Sequence, residues 1–464
     1  MSTLLSSAAA GLMLGVLYTA SPLTVWVVLA GAVFAPLAGR GLPERERRLM
    51  LAILGCGLAA RIGYVALLFL AGLPHHNDMA VGALAGDEAY YLSRALRVRD
   101  LLFGYSYGNY DYFVSADEYG RTSYLTLITW LQIAFGPTPY SLRLLNALFF
   151  VSGATLLYRT VRSGLGPATA LTGLLILLFL PSLFVSSVSL LKESLYFLAA
   201  SGLFACVVRL ARSPSVRATA LFIAVAAAVL WLLNDLRRGA VVLAVAGIAT
   251  GLIIRIAGAT PRRLAASLVA AVMVAAIALS IPGVRQRTLR GVENAAGIHA
   301  GHVFTVGHAY KLMDEGFYVS PAAPAALDLQ LTAPQAMRFL ARAAASFLVT
   351  PLPWQLRSRG ELAFLPEHLL WYGFLILLPI GMVAGWKRDP LITSLLIGFI
   401  LPTAAVLAVT NGNVGTLLRM RGLVTPYMIW LSALGLIAVV DALAARRPWP
   451  LHFTMLADAG KRGA

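Results

Sequence analysis

The chain has 464 residues, 59% of them hydrophobic and 12% charged, which is more apolar side chain than one soluble core can hide. Its 37 basic residues against 20 acidic ones give a net charge of +17, and all but Lys192, Lys311, Lys387 and Lys461 are arginine. These arginines fall in short loops between apolar runs, where they set topology and meet anionic head groups, so the charge speaks for a membrane surface and against a nucleic-acid partner.

A bilayer core of about 30 Å needs about 20 apolar residues per helix. The runs here are continuous in Leu, Ala and Val rather than alternating, which points to helices and not to a strand barrel. The expected fold is an all-α polytopic membrane protein of about 10 to 13 helices, one transmembrane domain over residues 1–464 with two long polar loops, 73–121 and 282–363. Cys56 and Cys206 both lie in apolar segments and read as small buried hydrophobes rather than a disulfide or a metal pair.

In chain order, Met1 to Gly39 holds no basic residue, so it reads as a retained anchor, interrupted at Ser21-Pro22. The cluster from Arg40 to Arg48 marks a cytoplasmic loop, and residues 49–72 read as a clean span to the other side. From Leu73 to Arg121 the chain carries seven of its 20 acids, as a first external loop. Residues 122–136 and 140–160 are apolar and split by the turn Gly136-Pro137-Thr138-Pro139. The run 171–208 is long enough for two spans joined near Pro181, with Lys192 and Glu193 as its charges; spans at 216–233, 239–258 and 264–281 follow. Arg159 and Arg162, Arg237 and Arg238, and Arg262 and Arg263 cannot all be cytoplasmic if every run crosses once, so some of these arginines serve something besides topology. Pro282 to Ala363 is polar again, and within it Pro334 to Leu348 has the period of an amphipathic helix, with Met337, Leu340, Ala344 and Phe347 as its apolar stripe and Arg338 and Arg342 on another. Spans resume at 364–386, 390–409 and 423–445, before a basic tail.

The stretch most in need of a chemical reason is Gly86-Asp87-Glu88-Ala89-Tyr90-Tyr91-Leu92-Ser93-Arg94. Asp87 reads as a helix N-cap and Glu88 as a carboxylate favouring the positive helix end. Capping does not account for the tyrosines that follow, from Tyr90 to Tyr124, which suit either a membrane interface or the wall of a sugar cleft. In the second loop His299, His302 and His308 lie near Glu293, Asp314 and Glu315, but the spacing matches no metal site and the segment reads as a solvated loop.

Together with Tyr124-Leu-Thr-Leu-Ile-Thr-Trp and Ser141-Leu-Arg143-Leu-Leu-Asn146, the Gly-Asp-Glu-Ala-Tyr-Tyr run resembles the opening of the GT-C glycosyltransferases, in the branch of the protein O-mannosyltransferases and the aminoarabinose transferases of lipid A. The resemblance covers about residues 75 to 210. It implies a GT-C helix bundle in the inner (plasma) membrane, with its active site on the extracytoplasmic face. The donor it implies is a polyprenyl-phosphate-linked sugar, and the acceptor a lipid, glycan or protein. By motif position Asp87 would be the general base, with Glu88 and Tyr91 shaping the sugar site and Arg94 beside them. The family's Lys-Pro-Pro is missing before residue 124, so its basic contact to donor phosphate is taken over by Arg121 or lost.

An inverting displacement of this kind needs cations where the leaving phosphate gains charge. The candidates are Lys192, a lysine in an apolar run, where a charge near a helix centre costs about 2.5–3.5 kcal/mol, and Arg419 and Arg421, just before the last span. No cofactor is implied; a divalent ion is compatible with the chemistry but not indicated. The rival expectations are a polysaccharide polymerase or ligase working through Arg338, Arg342 and His302, and a transporter or flippase for a lipid-linked sugar.

Overall fold

The computed structural model describes residues 21–72, 85–105, 122–213, 215–305, 307–318, 329–355 and 365–445, with the isolated positions 7, 11, 12, 15 and 362. Residues 1–20 of the N-terminal anchor apart from positions 7, 11, 12 and 15, together with Arg121 and the basic tail, lie outside the described residues. The protein is an all-α polytopic membrane protein: the described residues form 17 α-helices, ten of them long and apolar enough to cross a bilayer, or eleven when a bent pair is counted as one span. The chain divides into two compact units, Met1–Val241 and Val242–Ala464.

The first unit holds α1 (Pro22–Gly39), α2 (Glu44–Gly72), α3 (Ala85–Leu102), α4 (Ser123–Phe135), α5 (Pro139–Leu165), α6 (Pro167–Phe179), α7 (Pro181–Val188), α8 (Glu193–Ala211) and α9 (Val216–Leu236). Proline opens α1, α5, α6 and α7, where its missing N–H costs nothing and its φ is already helical. The Gly-Pro-Thr-Pro turn works as its composition predicts: Gly136 at φ 78° ends α4, and Pro139 starts α5.

Two ends of this unit can be told apart by contacts. At one, α1 and α5 start together, with the Thr24 hydroxyl 2.7 Å and the Ser21 hydroxyl 2.6 Å from that of Ser141. Around them Leu23, Leu92, Tyr124, Leu142, Leu190 and Leu236 form one apolar core that joins α1, α3, α4, α5 and α9. We call this the acidic end, since Asp87 and Glu88 open α3 there. At the other, Arg159 of α5 donates to the carbonyls of Ala38 (2.8 Å) and Arg40 (2.9 Å), capping α1, and Arg162 binds Glu46 at the start of α2. This is the arginine end.

Several elements differ from the sequence reading. The span 49–72 is not clean, because Arg61 lies inside it with no exposed surface. The 171–208 run breaks twice: α6 and α7 meet at a 62° bend at Leu180-Pro181, and the chain breaks again over 189–192 before α8. Cys56 is exposed and Cys206 half-buried, both as free thiols.

The second unit holds α10 (Ala240–Ala257), α11 (Pro261–Ser280), α12 (Pro282–Val303), α13 (Ala333–Val349), α14 (Leu365–Arg388), α15 (Pro390–Thr410), α16 (Val414–Arg421) and α17 (Thr425–Ala445). The histidine segment expected as a solvated loop is helical in α12, and His299 is fully buried. Helix α13 matches the predicted amphipathic helix in extent but not in phase. Its inward stripe is Ala336, Phe339, Ala343 and Phe347, and Met337 is 68% exposed. Alanine is apolar enough to extend an apolar face on either side, so composition left the phase open.

Where apolar helices meet with no water to expel, close backbone approach supplies the attraction. Gly381 of α14 lies so near α17 that a methyl group there would run into the Leu431 carbonyl, and Gly398 of α15 faces Gly247 and Gly251 of α10 in the same way. Gly381→Ala is therefore expected to cost about 1–3 kcal/mol by overpacking, read as a lower thermal midpoint in detergent. Gly373→Ala on the same helix, where the added methyl meets nothing within 4 Å, is the control and should leave the midpoint in place.

Candidate active site

At the acidic end the two carboxylates of the Asp-Glu pair part company. Both fall in the first turn of α3, so Asp87 lies inside the helix rather than at its N-cap. Glu88 is 1% exposed and forms an ion pair with Arg143 of α5, itself 1% exposed. Asp87 is exposed. Residues adjacent in a helix point about 100° apart, so drawing Glu88 inward onto Arg143 turns Asp87 out.

Arg143 also reaches the Val188 carbonyl at 3.4 Å, and one turn on Asn146 gathers the neighbouring strand of chain. The Asn146 amide nitrogen lies 2.6 Å from the Ser189 carbonyl, 3.1 Å from that of Leu191 and 2.8 Å from the Tyr124 hydroxyl, so its two hydrogens are shared among three acceptors. The irregular segment 189–192 would otherwise leave buried carbonyls unpaired; Asn146 supplies their donors. Lys192 follows directly and precedes α8, half-buried. It is thus a helix-end residue and not the mid-helix cation that the apolar run suggested.

Tyrosines line the same end. The Tyr91 ring stands edge-on to Tyr90 (5.7 Å) and to Tyr124 (5.9 Å). Arg94, expected to face substrate, is 2% exposed; it lies under the Tyr90 ring and donates to its hydroxyl, so it holds that tyrosine from behind. Arg237 joins this end from the far side of α9, with its guanidinium 5.9 Å from the Tyr196 ring centre, while Asp235 beside it accepts from Ser123 at the start of α4. Asp87, Glu88, Tyr91, Arg94 and Lys192 are therefore brought together in the first unit. Sequence reasoning quoted Arg143 and Asn146 without giving them a task and left Arg237 undecided. The available signal was polar side chains one turn apart in an apolar helix, which membrane segments carry at a cost.

Arg419 and Arg421 belong to the second unit. Arg421 is 3% exposed, donates to the Phe347 carbonyl at the end of α13, and lies against the rings of Phe347 (5.4 Å) and Trp371 (4.6 Å). Burial lowers its pKa to about 10, which leaves it charged at neutral pH. Arg419, two residues earlier on α16, is half-buried. The loop residues of the rival reading are engaged as well: Arg342 donates to the Leu312 carbonyl at 3.1 Å, Arg338 and Arg342 flank Asp314 at 3.6 and 3.5 Å, and His302 bonds the Thr410 carbonyl at 2.7 Å.

His299 sits between the end of α15 and Tyr318. The Tyr318 oxygen accepts from the N–H groups of Leu312 (2.9 Å) and Met313 (3.0 Å), so its own proton goes to His299 Nε2 at 3.1 Å. Nδ1–H then donates to the Asn411 carbonyl at 2.6 Å. That network fits a neutral ring, and burial pushes the pKa of His299 down to about 4, opposed by the Asn411 bond and aided by His302 nearby.

Comparison with family models, with curated proteins and with solved structures returns no match.

Two predictions follow from this geometry. Breaking a buried ion pair from one side leaves a charge stranded, at a cost of about 3–5 kcal/mol. Glu88→Gln and Arg143→Met should each lower the thermal midpoint sharply, and the double variant should recover much of the loss; additive losses would show that the two are not coupled. For His299 the unfolded chain takes up a proton below its usual 6.5 while the folded ring stays neutral to about 4. Stability is thus lost as pH falls from 6.5 towards 4, and His299→Gln should flatten that part of the midpoint-against-pH curve.

Proposed function

We propose that this protein is an integral-membrane glycosyltransferase of the GT-C type, moving a sugar from a polyprenyl phosphate to an acceptor hydroxyl at the extracytoplasmic face of the plasma membrane. The observation that carries the reading is the divided carboxylate pair: Glu88 is locked inward by Arg143, and Asp87 is held outward beside it. A base needs both access to substrate and a fixed position, and this arrangement supplies the two from adjacent residues.

The reaction is a single displacement. The acceptor oxygen attacks the anomeric carbon, the bond from that carbon to the phosphate oxygen breaks, and the configuration inverts. Asp87 takes the hydroxyl proton, and the departing polyprenyl phosphate keeps the bonding electrons. Its added charge needs nearby cations, and Lys192 and Arg237 at the acidic end are assigned to that role. Tyr91 and the tyrosines around it offer faces and hydroxyls to the sugar. The sequence resemblance at Gly-Asp-Glu-Ala-Tyr-Tyr and at Arg143 and Asn146 agrees with this assignment, since the motif residues it names meet at one place. Orientation rests on the positive-inside rule: Arg40 to Arg48, Arg159 and Arg162 at the opposite end mark the cytoplasmic side. Because Arg421 is occupied at the end of α13, the reading assigns it to the scaffold.

Membranes carrying Asp87→Asn should lose about 10²- to 10⁴-fold in transfer of labelled sugar from polyprenyl phosphate, with expression and thermal midpoint kept. Lys192→Ala and Arg237→Gln should each lower transfer by less. Wild-type rates in Asp87→Asn would overturn the base assignment.

A further inference from the structure

We propose that the arginine end of the first unit holds a binding site for one phosphate ester, the head group of an anionic phospholipid. A cavity of about 210 Å³ opens there between α5, the end of α8 and α9, and Arg159, Arg209 and Arg212 line it together with Ser163, Val208 and Phe222. The lining contains three guanidinium groups and, among the described residues, no carboxylate. Glu46, the nearby acid that α5 contacts, is committed to Tyr158 (2.5 Å) and Arg162 (2.8 Å).

Arg159 is fixed by carbonyls of the α1 end, which are neutral acceptors and hold its position without cancelling its charge. Arg212 donates to Ser163 at 2.9 Å, which draws the end of α8 towards α5. At this one small volume guanidinium groups from α5 and from the end of α8 meet. Guanidinium groups match the tetrahedral oxygens of phosphate. The cavity is below the roughly 300–1,000 Å³ usual for small-molecule pockets, so it suits a phosphate group whose remainder lies outside.

The surroundings favour a lipid over a soluble phosphate. Val208 and Phe222 make one wall apolar. Helix α9, which forms that side, buries only 6% of its span, and Val216 and Leu221 stand 86% and 61% exposed next to the pocket. Acyl chains can therefore run along α9 while the phosphate sits among the arginines, as basic pockets between helices hold anionic lipid.

The test uses the purified full-length protein in detergent, with phosphatidylglycerol, phosphatidylcholine or inorganic phosphate added. Phosphatidylglycerol is expected to raise the thermal midpoint by about 3 °C or more and phosphatidylcholine to leave it unchanged. Arg209→Gln/Arg212→Gln should lose most of that rise. Arg45→Gln/Arg48→Gln, which removes the same charge from the same end outside the pocket, should keep it. Native mass spectrometry reads the site without relying on stability: one phosphatidylglycerol retained per wild-type chain, and none in Arg209→Gln. An equal response to phosphatidylcholine, or a full response in the Arg209/Arg212 variant, would overturn the site. A rise from inorganic phosphate that phosphatidylglycerol does not increase would give the pocket to a soluble phosphate and overturn the lipid.

Discussion

The buried pairing of Glu88 with Arg143 is the interaction on which the first unit's acidic end depends. Taking both ions from water is costly, and their mutual attraction compensates only when geometry is held by other contacts. Here the apolar core of Leu92, Tyr124, Leu142 and Leu190 surrounds the pair and α5 carries Asn146 one turn further on. The pair does not need to stabilise the fold on balance to matter. It selects one rotation of α3 about its axis, because any other would leave Glu88 or Arg143 buried alone. That rotation decides which face of α3 meets solvent, and with it the place of Asp87.

The same low-dielectric setting suits arginine better than lysine at helix ends. Three buried or half-buried arginines each finish a helix. Arg61 donates to the Leu178 carbonyl at the end of α6 (3.0 Å) and to Ser187 of α7 (2.7 Å), spanning the 62° bend. Arg159 closes α1 and Arg421 closes α13, where Trp371 and Tyr372 also donate to the carbonyls of Leu348 and Val349. The last carbonyls of a helix have no partner within it and carry the negative end of its dipole. Away from water a planar cation with five donors can serve several of them at once, while its faces rest on rings such as Phe150 and Phe184 beside Arg61. Lysine offers neither the fork nor the flat face.

This use of arginine marks the boundary of what the sequence made legible. Most spans were readable, since length, apolar run and proline act locally; 390–409 and 423–445 emerge almost as read, whereas the break over 189–192 carries no such local signal. The Asp-Glu pair was readable as a place where chemistry gathers, but not its division into an inward and an outward member, because the deciding partner lies 55 residues away on α5. Arg421, read as a phosphate ligand from its charge and its place just before the last span, donates to a carbonyl and rests on two rings. Its carbonyl acceptor and its two rings come from residues 347 and 371, and nothing at position 421 announces them. His299 is the same case: a glycine-rich neighbourhood suggested a loop, and tertiary packing against Asn411 and Tyr318 made it a buried neutral ring.

Helix α5 connects the two ends of the first unit. It carries Arg143 and Asn146 near its start and Arg159 and Arg162 near its end, about 24 Å apart at 1.5 Å per residue, close to the thickness of a hydrocarbon core. One rigid rod therefore fixes the acidic end and the arginine end of the unit at opposite faces of an apolar slab. Arg237 can then be placed without knowing which face is which: it meets Tyr196 at the start of α8, and α8 starts beside Asn146, so it lies across the slab from Arg159. Arg159 and Arg162 share an end with Arg40 and Glu46, and Arg237 stands at the other. On the function proposed above, Arg237 runs against the charge bias that sets topology, and the phosphate that leaves beside Asp87 gives a cation on that face its reason.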